Sequence, residues 1–125
     1  RRRQRQMCIR DRRFDQAAAF SGRGYTRATN QVKPDLVAPG VEIMSCAPGG
    51  GYQVRTGTSM ATPFVTGSAA LLMQWGIVNG NDAYLYGEKM KAYLIRGARK
   101  LPGFTVYPNP VLGWGALCTA NSIPR

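Results

Sequence analysis

The sequence predicts an α/β layer architecture, and three observations carry that prediction. Short apolar stretches bounded by turn residues fill the first half of the chain. Segments with helical spacing fill the second half, and the longer one is entered directly from a strand, as where helices cover a sheet. Hydrophobic residues make up 44% of the 125, enough for a core and too many for wholesale disorder. This length sets one domain as the upper limit and allows for part of a larger one.

Taken in order, the chain opens on "RRRQRQMCIRDRR" (1–13), seven Arg against one Asp, a charge of +6. Residues 14–125 hold ten Lys or Arg against five Asp or Glu, so more than half of the net +11 lies in this opening segment. A basic tail can bind nucleic acid or an anionic surface. Charge confined to a low-complexity terminus does not make the remainder a nucleic-acid module, and no nucleic-acid partner is expected. Residues 1–13 are read as an Arg-rich tail, non-native or artefactual, similar to translated adapter sequence. They lack the apolar centre of a signal peptide.

The globular part is expected over 14–125. "AAAFSGRG" (17–24) reads as a short strand running into a Gly turn, and "KPDLVAPG" (33–40) as a strand over 36–38 closed by Pro39-Gly40. "VEIMSCAP" (41–48) alternates as a strand, the glycines at 49–51 turn the chain, and "YQVRTGT" (52–58) returns as its partner. That hairpin delivers the chain to Ser59. In the helix that follows, Pro63 is placed in the first turn, where a missing N–H costs nothing. Val65, Ala69, Leu72 and Met73 recur at helical spacing, and Gly67, Ala69 and Ala70 are small enough for close approach of neighbours. The helix is expected to end near Gly76. A second helix is expected from Asp82 or Tyr86 to Arg96, with Met90, Leu94 and Ala98 inward and Gly97 at its end. "GFTVYPNP" (103–110) reads as an edge strand and "GWGALCTANSI" (113–123) as a short terminal helix. No run approaches the roughly 20 apolar residues of a membrane span.

Ser59, in "GTSMATPFVTGSAALLMQW", is the candidate for chemistry, with two readings open. It caps the helix, as Ser and Thr often do, or it is a nucleophile at a helix N-terminus. Ala61 denies the G-x-S-x-G pattern, Thr62 denies Ser-x-x-Lys, and the glycines at 49–51 lack the Gly-Lys ending of a phosphate loop. Three cysteines cannot all pair. Cys46 and Cys118 have neither C-x-x-C spacing nor a histidine, so no metal site is expected. They are read as buried free thiols, with a Cys46–Cys118 bridge as the alternative.

"KPDLVAPG", followed seventeen residues later by "GTSMATPFVTG", resembles the nucleophile region of the subtilisin-like serine peptidases. The "FS" of "AAAFSGRG", the "MKAYLI" helix and the closing "GWGAL" also fit that family, so the resemblance spans nearly all of 14–125. "LYGEKMKAYLIRGARKLPG" and "YPNPVLGWGALC" look most like clostridial-type bacterial members. The resemblance implies the C-terminal part of a peptidase S8-type catalytic domain. Its fold would be three-layered and mostly parallel, with a hairpin leading into a buried central helix. Ser59 matches the acylating nucleophile, and its backbone N–H would be one oxyanion-hole donor. Thr58 matches the hydroxyl that supports the hole. Gly57 would let substrate approach, and Met60 would expose a thioether beside the reactive centre.

Two departures stand out. Phe64 replaces a packing histidine, and the chain contains no histidine at all. A serine needs a base. In this family the triad Asp and His and the oxyanion Asn precede the serine, and none of the five acids in 14–125 falls in a motif that replaces them. Loss of a triad residue costs about 10⁴–10⁶ in rate, figures measured partly in subtilisin itself. The chain alone is therefore expected to be inactive. Its expected partners are a peptide or protein substrate and the upstream part of the same catalytic domain. No cofactor is expected here, while the family allows calcium in the full-length protein. The implied location is secreted, cell-envelope or spore-associated. The alternative is a non-catalytic relative that signals, as in spore germination, against which the intact Ser59 argues.

Overall fold

The structure is a computed structural model that describes residues 8–11 and 16–124, with side chains for 17–124. Residues 1–7 and 12–13 of the Arg-rich segment lie outside the described residues. Its middle is paired: Cys8–Asp11 forms β1, antiparallel to β2 (Gln16–Ala17) and parallel to β3 (Val37–Pro39). On its other side Val37 meets Ala116 in parallel, through Val37 N–H to Gly115 O and Leu117 N–H to Val37 O, at 2.9 and 2.7 Å. Ala116 in turn exchanges two bonds with Arg99 across an antiparallel bridge. The sheet is thus parallel at its centre and antiparallel at its edges, which makes it mixed where a mostly parallel one was expected.

Successive residues of a strand face opposite sides, and two cores follow from that. Val37 packs with Leu101, Leu112 and Ala116 beneath Tyr107 and Val111. Leu36 packs on the other side with Leu72, Leu85 and Leu94. The second core is the helix side. It takes Leu72 from α1 (Thr58–Met73) and Leu94 from α2 (Gly87–Arg96). Met90 and Val65 join as the spacing predicted.

The hairpin pairs β4 (Ile43–Cys46) with β5 (Tyr52–Arg55), from Ile43 opposite Arg55 to Cys46 opposite Tyr52. Gly49, Gly50 and Gly51 all have positive φ, which only glycine adopts freely, so the turn closes without strain. The hairpin stands largely in solvent. Cys46 is therefore exposed instead of buried, and both Cys46 and Cys118 are free thiols.

Further expectations change. The strand expected over 17–24 stops at Ala17, because the chain turns at once through Ser21 N–H to Ala18 O. α1 does not end at Gly76 but continues as a π-helical turn, Gln74–Val78. The continuous helical stretch, 21 residues from Thr58 to Val78, reaches the length and apolarity of a membrane crossing, which no run in the sequence had suggested. Residues 103–110 form no strand: Asn109 Oδ1 accepts from the amides of Val111 and Leu112 and folds the segment into a turn. The terminal helix shrinks to α3 (Thr119–Ser122), because residues 115–117 are drawn into the sheet. Finally, α1 is not a buried helix among the described residues. Only Ala61, Ser68 and Leu72 of it are buried, while Phe64, Leu71 and Met73 are exposed, since the described elements cover one side alone.

Candidate active site

Ser59 is the second residue of α1 and is exposed. Its position is set by the chain on either side. Gly57, the N-cap, is extended, and its N–H donates to Gly40 O at 2.8 Å. One residue earlier, Thr56 Oγ1 accepts from Glu42 N–H at 2.9 Å. The Pro39-Gly40 turn and the approach to Ser59 are therefore one backbone unit, with the hairpin as an excursion between them.

The capping reading fails on geometry. No side chain caps α1, and the Ser59 hydroxyl makes no hydrogen bond among the described residues. The Thr58 hydroxyl makes none either, although the Thr58 carbonyl accepts from Thr62 Oγ1 at 3.0 Å. The Ser59 N–H is one of the first-turn donors that a helix leaves unbonded, at the positive end of its dipole. Gly57, Thr58 and Met60 are half-buried around the exposed serine.

Pro63 acts differently from the sequence expectation. It is the sixth residue of α1, past the first turn, so its missing N–H would have served the carbonyl of Ser59. The proline removes that bond and crowds the carbonyl. The first turn is loosened at the residue whose side chain is free. Counting from a Gly57 cap would have shown this in the sequence.

No base is hydrogen-bonded to the hydroxyl among the described residues. Cavities of about 550, 370 and 220 Å³ are present, and none is lined by Ser59. Two carboxylates are held by lysines. Burial pushes the Asp35 carboxyl up, but Lys33 at 2.8 Å and Lys91 at 3.2 Å outweigh it and leave it below its ordinary value. The Lys89 ammonium, 2.7 Å away, holds Asp82 below its ordinary value against partial desolvation, helped by the Tyr93 hydroxyl at 3.2 Å. Among the described residues no three of Cys, Asp and Glu come together.

An exposed, unbonded serine on a helix N-terminus, reached through "DLVAPG" and a hairpin, is joined by a match at the level of the family. Residues 8–115 match the sequence profile of the Subtilase family. The chain belongs to the subtilases. Within them it is 34% identical over 121 residues to the minor extracellular protease Vpr of Bacillus subtilis, covering 87% of this chain and 14% of that one. Over 124 residues it is 35% identical to the serine protease AprX of the same organism, covering 88% of this chain and 26% of that one. Its structure resembles the CspB protease of Clostridium perfringens with a TM-score of 0.86 and 45% identity, over 93% of this chain and 25% of that chain. These bacterial relatives agree with the clostridial-type resemblance, and the fold is the α/β fold of subtilases. The chain spans a quarter or less of CspB and Vpr. The subtilase match begins at Cys8, inside the segment set apart by its charge.

Proposed function

We propose that this subtilase chain is the C-terminal part of a serine endopeptidase catalytic domain, over residues 14–125, and that Ser59 is its acylating nucleophile. The observation that carries the reading is the unbonded Ser59 hydroxyl on the first turn of α1, held by Gly57 against Gly40. In this reading a base from the upstream part of the domain takes the hydroxyl proton as Oγ attacks a peptide carbonyl. The Ser59 N–H stabilises the oxyanion, Thr58 supports it, and Gly57 leaves room for the substrate backbone. Met60 sits beside the reaction, open to oxidation. Of the preceding Arg-rich segment, residues 8–11 pair with the sheet and fall inside the subtilase match, which extends the domain to Cys8 at least.

The upstream part also covers the exposed side of α1, where Phe64, Leu71 and Met73 lie. The chain alone holds the nucleophile without its base and is inactive. Calcium, where the full-length protein binds it, is held by residues outside this chain. Substrates are peptides or proteins. The relative Vpr, extracellular by name, supports a secreted, envelope or spore-associated location.

The test uses the full-length parent. A fluorophosphonate probe labels it at Ser59, and Ser59→Ala abolishes both labelling and peptide hydrolysis. Labelling that survives the substitution overturns the assignment. A wild-type parent that folds yet neither labels nor hydrolyses favours the signalling alternative.

A further inference from the structure

Trp114 stands partly exposed, and its backbone has no freedom to withdraw it. Gly113 lies at φ +59° and Gly115 at +125°, and a Cβ on either would strike backbone: Asp35 O at 2.5 Å from the first, Arg99 O at 2.5 Å from the second. The Trp114 N–H is fixed to Asp35 O at 2.8 Å. Two glycines press the chain against its neighbours and turn the one large side chain between them outward.

That indole lines a cavity of about 550 Å³ at the C-terminal end of α2, with Arg96, Lys100, Val106 and Tyr107. No carboxylate lines it. The two cations lie over aromatic rings, Arg96 5.2 Å from the Tyr93 centroid and Lys100 5.4 Å from that of Tyr107. A ring face holds a cation without neutralising it, and the N–H donors stay available. Neither cation forms an ion pair among the described residues. Two of the last-turn carbonyls that would repel an anion here are bonded, Tyr93 O by Gly97 N–H and Ile95 O by Ala98 N–H.

We propose that this concavity docks an acidic linear segment of a separate partner protein. Its carboxylates meet Arg96 and Lys100, and an apolar side chain between them lies on Trp114 and Val106. The volume falls within the roughly 300–1,000 Å³ of ligand sites, and Trp, Tyr and Arg are the residue types that dominate interface energies. A second copy of this chain does not supply the segment, since no two of its six acidic residues lie within three positions of each other. The site is independent of the peptidase reading.

The experiment uses the full-length parent carrying Ser59→Ala, so that no hydrolysis can intervene. A fluorescein-labelled Asp-Glu-Phe-Glu-Asp peptide and its Asn-Gln-Phe-Gln-Asn counterpart are titrated by anisotropy. The acidic peptide binds at least about tenfold more tightly, and more weakly as salt is raised. Arg96→Gln with Lys100→Gln lowers its affinity about tenfold, and Trp114→Ala removes most of what is left. Lys100→Gln alone, at an exposed position, keeps the test decisive if Trp114→Ala fails to fold. Equal binding of the two peptides, no binding, indifference to the Gln variants, or preference for an oligonucleotide of equal charge each overturns the proposal.

Discussion

The amide of Gly57 donates to the carbonyl of Gly40 at 2.8 Å, across seventeen residues of sequence. Gly40 is buried at the end of β3, a strand paired on both sides, so the loop that presents Ser59 is anchored to the sheet. The hairpin between them is an excursion from that bond. The nucleophile proposed at Ser59 would have to be held to within a fraction of an ångström, and a bond to the sheet serves that need better than the hairpin itself.

Gly57→Ala separates the fold from the chemistry. A Cβ at Gly57 would meet only Ser59 N, at 3.9 Å, an ordinary contact. The melting temperature of the full-length parent is expected to move by no more than about 2 °C. The added methyl stands beside the proposed oxyanion donor, so kcat for a peptide anilide falls by roughly tenfold or more. A variant that melts early but turns over normally contradicts this placement.

Gly113→Ala tests packing instead. The position combines a positive φ with backbone oxygens where a methyl would go. The loss in urea denaturation is expected to be about 3 kcal/mol or more. Gly80 has a similar φ of +75° with nothing within 4 Å, so Gly80→Ala isolates the backbone term, about 1 kcal/mol.

The periodic elements were legible because their physics is local. Val65, Leu72, Met90 and Leu94 enter one core through helical spacing, and the glycines at 49–51 turn a hairpin whatever surrounds them. Residues 113–118 were misread because small apolar residues suit a helix as well as a strand. Bonds from Arg99 and Val37, distant in sequence, decide for the sheet. The 103–110 strand failed for a nearer reason, the bonds from the Asn109 side chain to the amides beyond it. The exposed place of Ser59 at a helix start was legible through its flanking glycine and the helix behind it. The bond from Gly57 to Gly40 was not, since nothing in either residue type announces a backbone pair.

Ser68 and Thr119 are expected to be energetically coupled. Ser68 is buried on α1, bonding Phe64 O at 2.8 Å, and its hydroxyl lies 2.5 Å from that of Thr119 on α3. This ties the helix that carries Ser59 to the C-terminal segment. Ser68→Ala strands the Thr119 hydroxyl, and Thr119→Val leaves Ser68 only its bond to Phe64 O, each costing about 1–2 kcal/mol by denaturation. The double variant costs less than the sum by about 1 kcal/mol. Simple additivity would show that the pair does not act as a unit.

Asp35 gives the fold an acid limit. It sits between Lys33 and Lys91, and its backbone oxygen holds Trp114. Burial raises its pKa, the two lysines together lower it by more, and the net value lies below that of the unfolded chain. The stabilisation is therefore complete above the unfolded value, about 3.9, and is lost as pH falls through the lower folded one. Urea denaturation of the full-length parent should show stability declining below about pH 4, with a smaller decline in Asp35→Asn. Partial exposure of the carboxylate means that about 1 M salt narrows the difference between the two proteins at neutral pH. Acid limbs of equal depth in the wild type and the variant would remove Asp35 from this role.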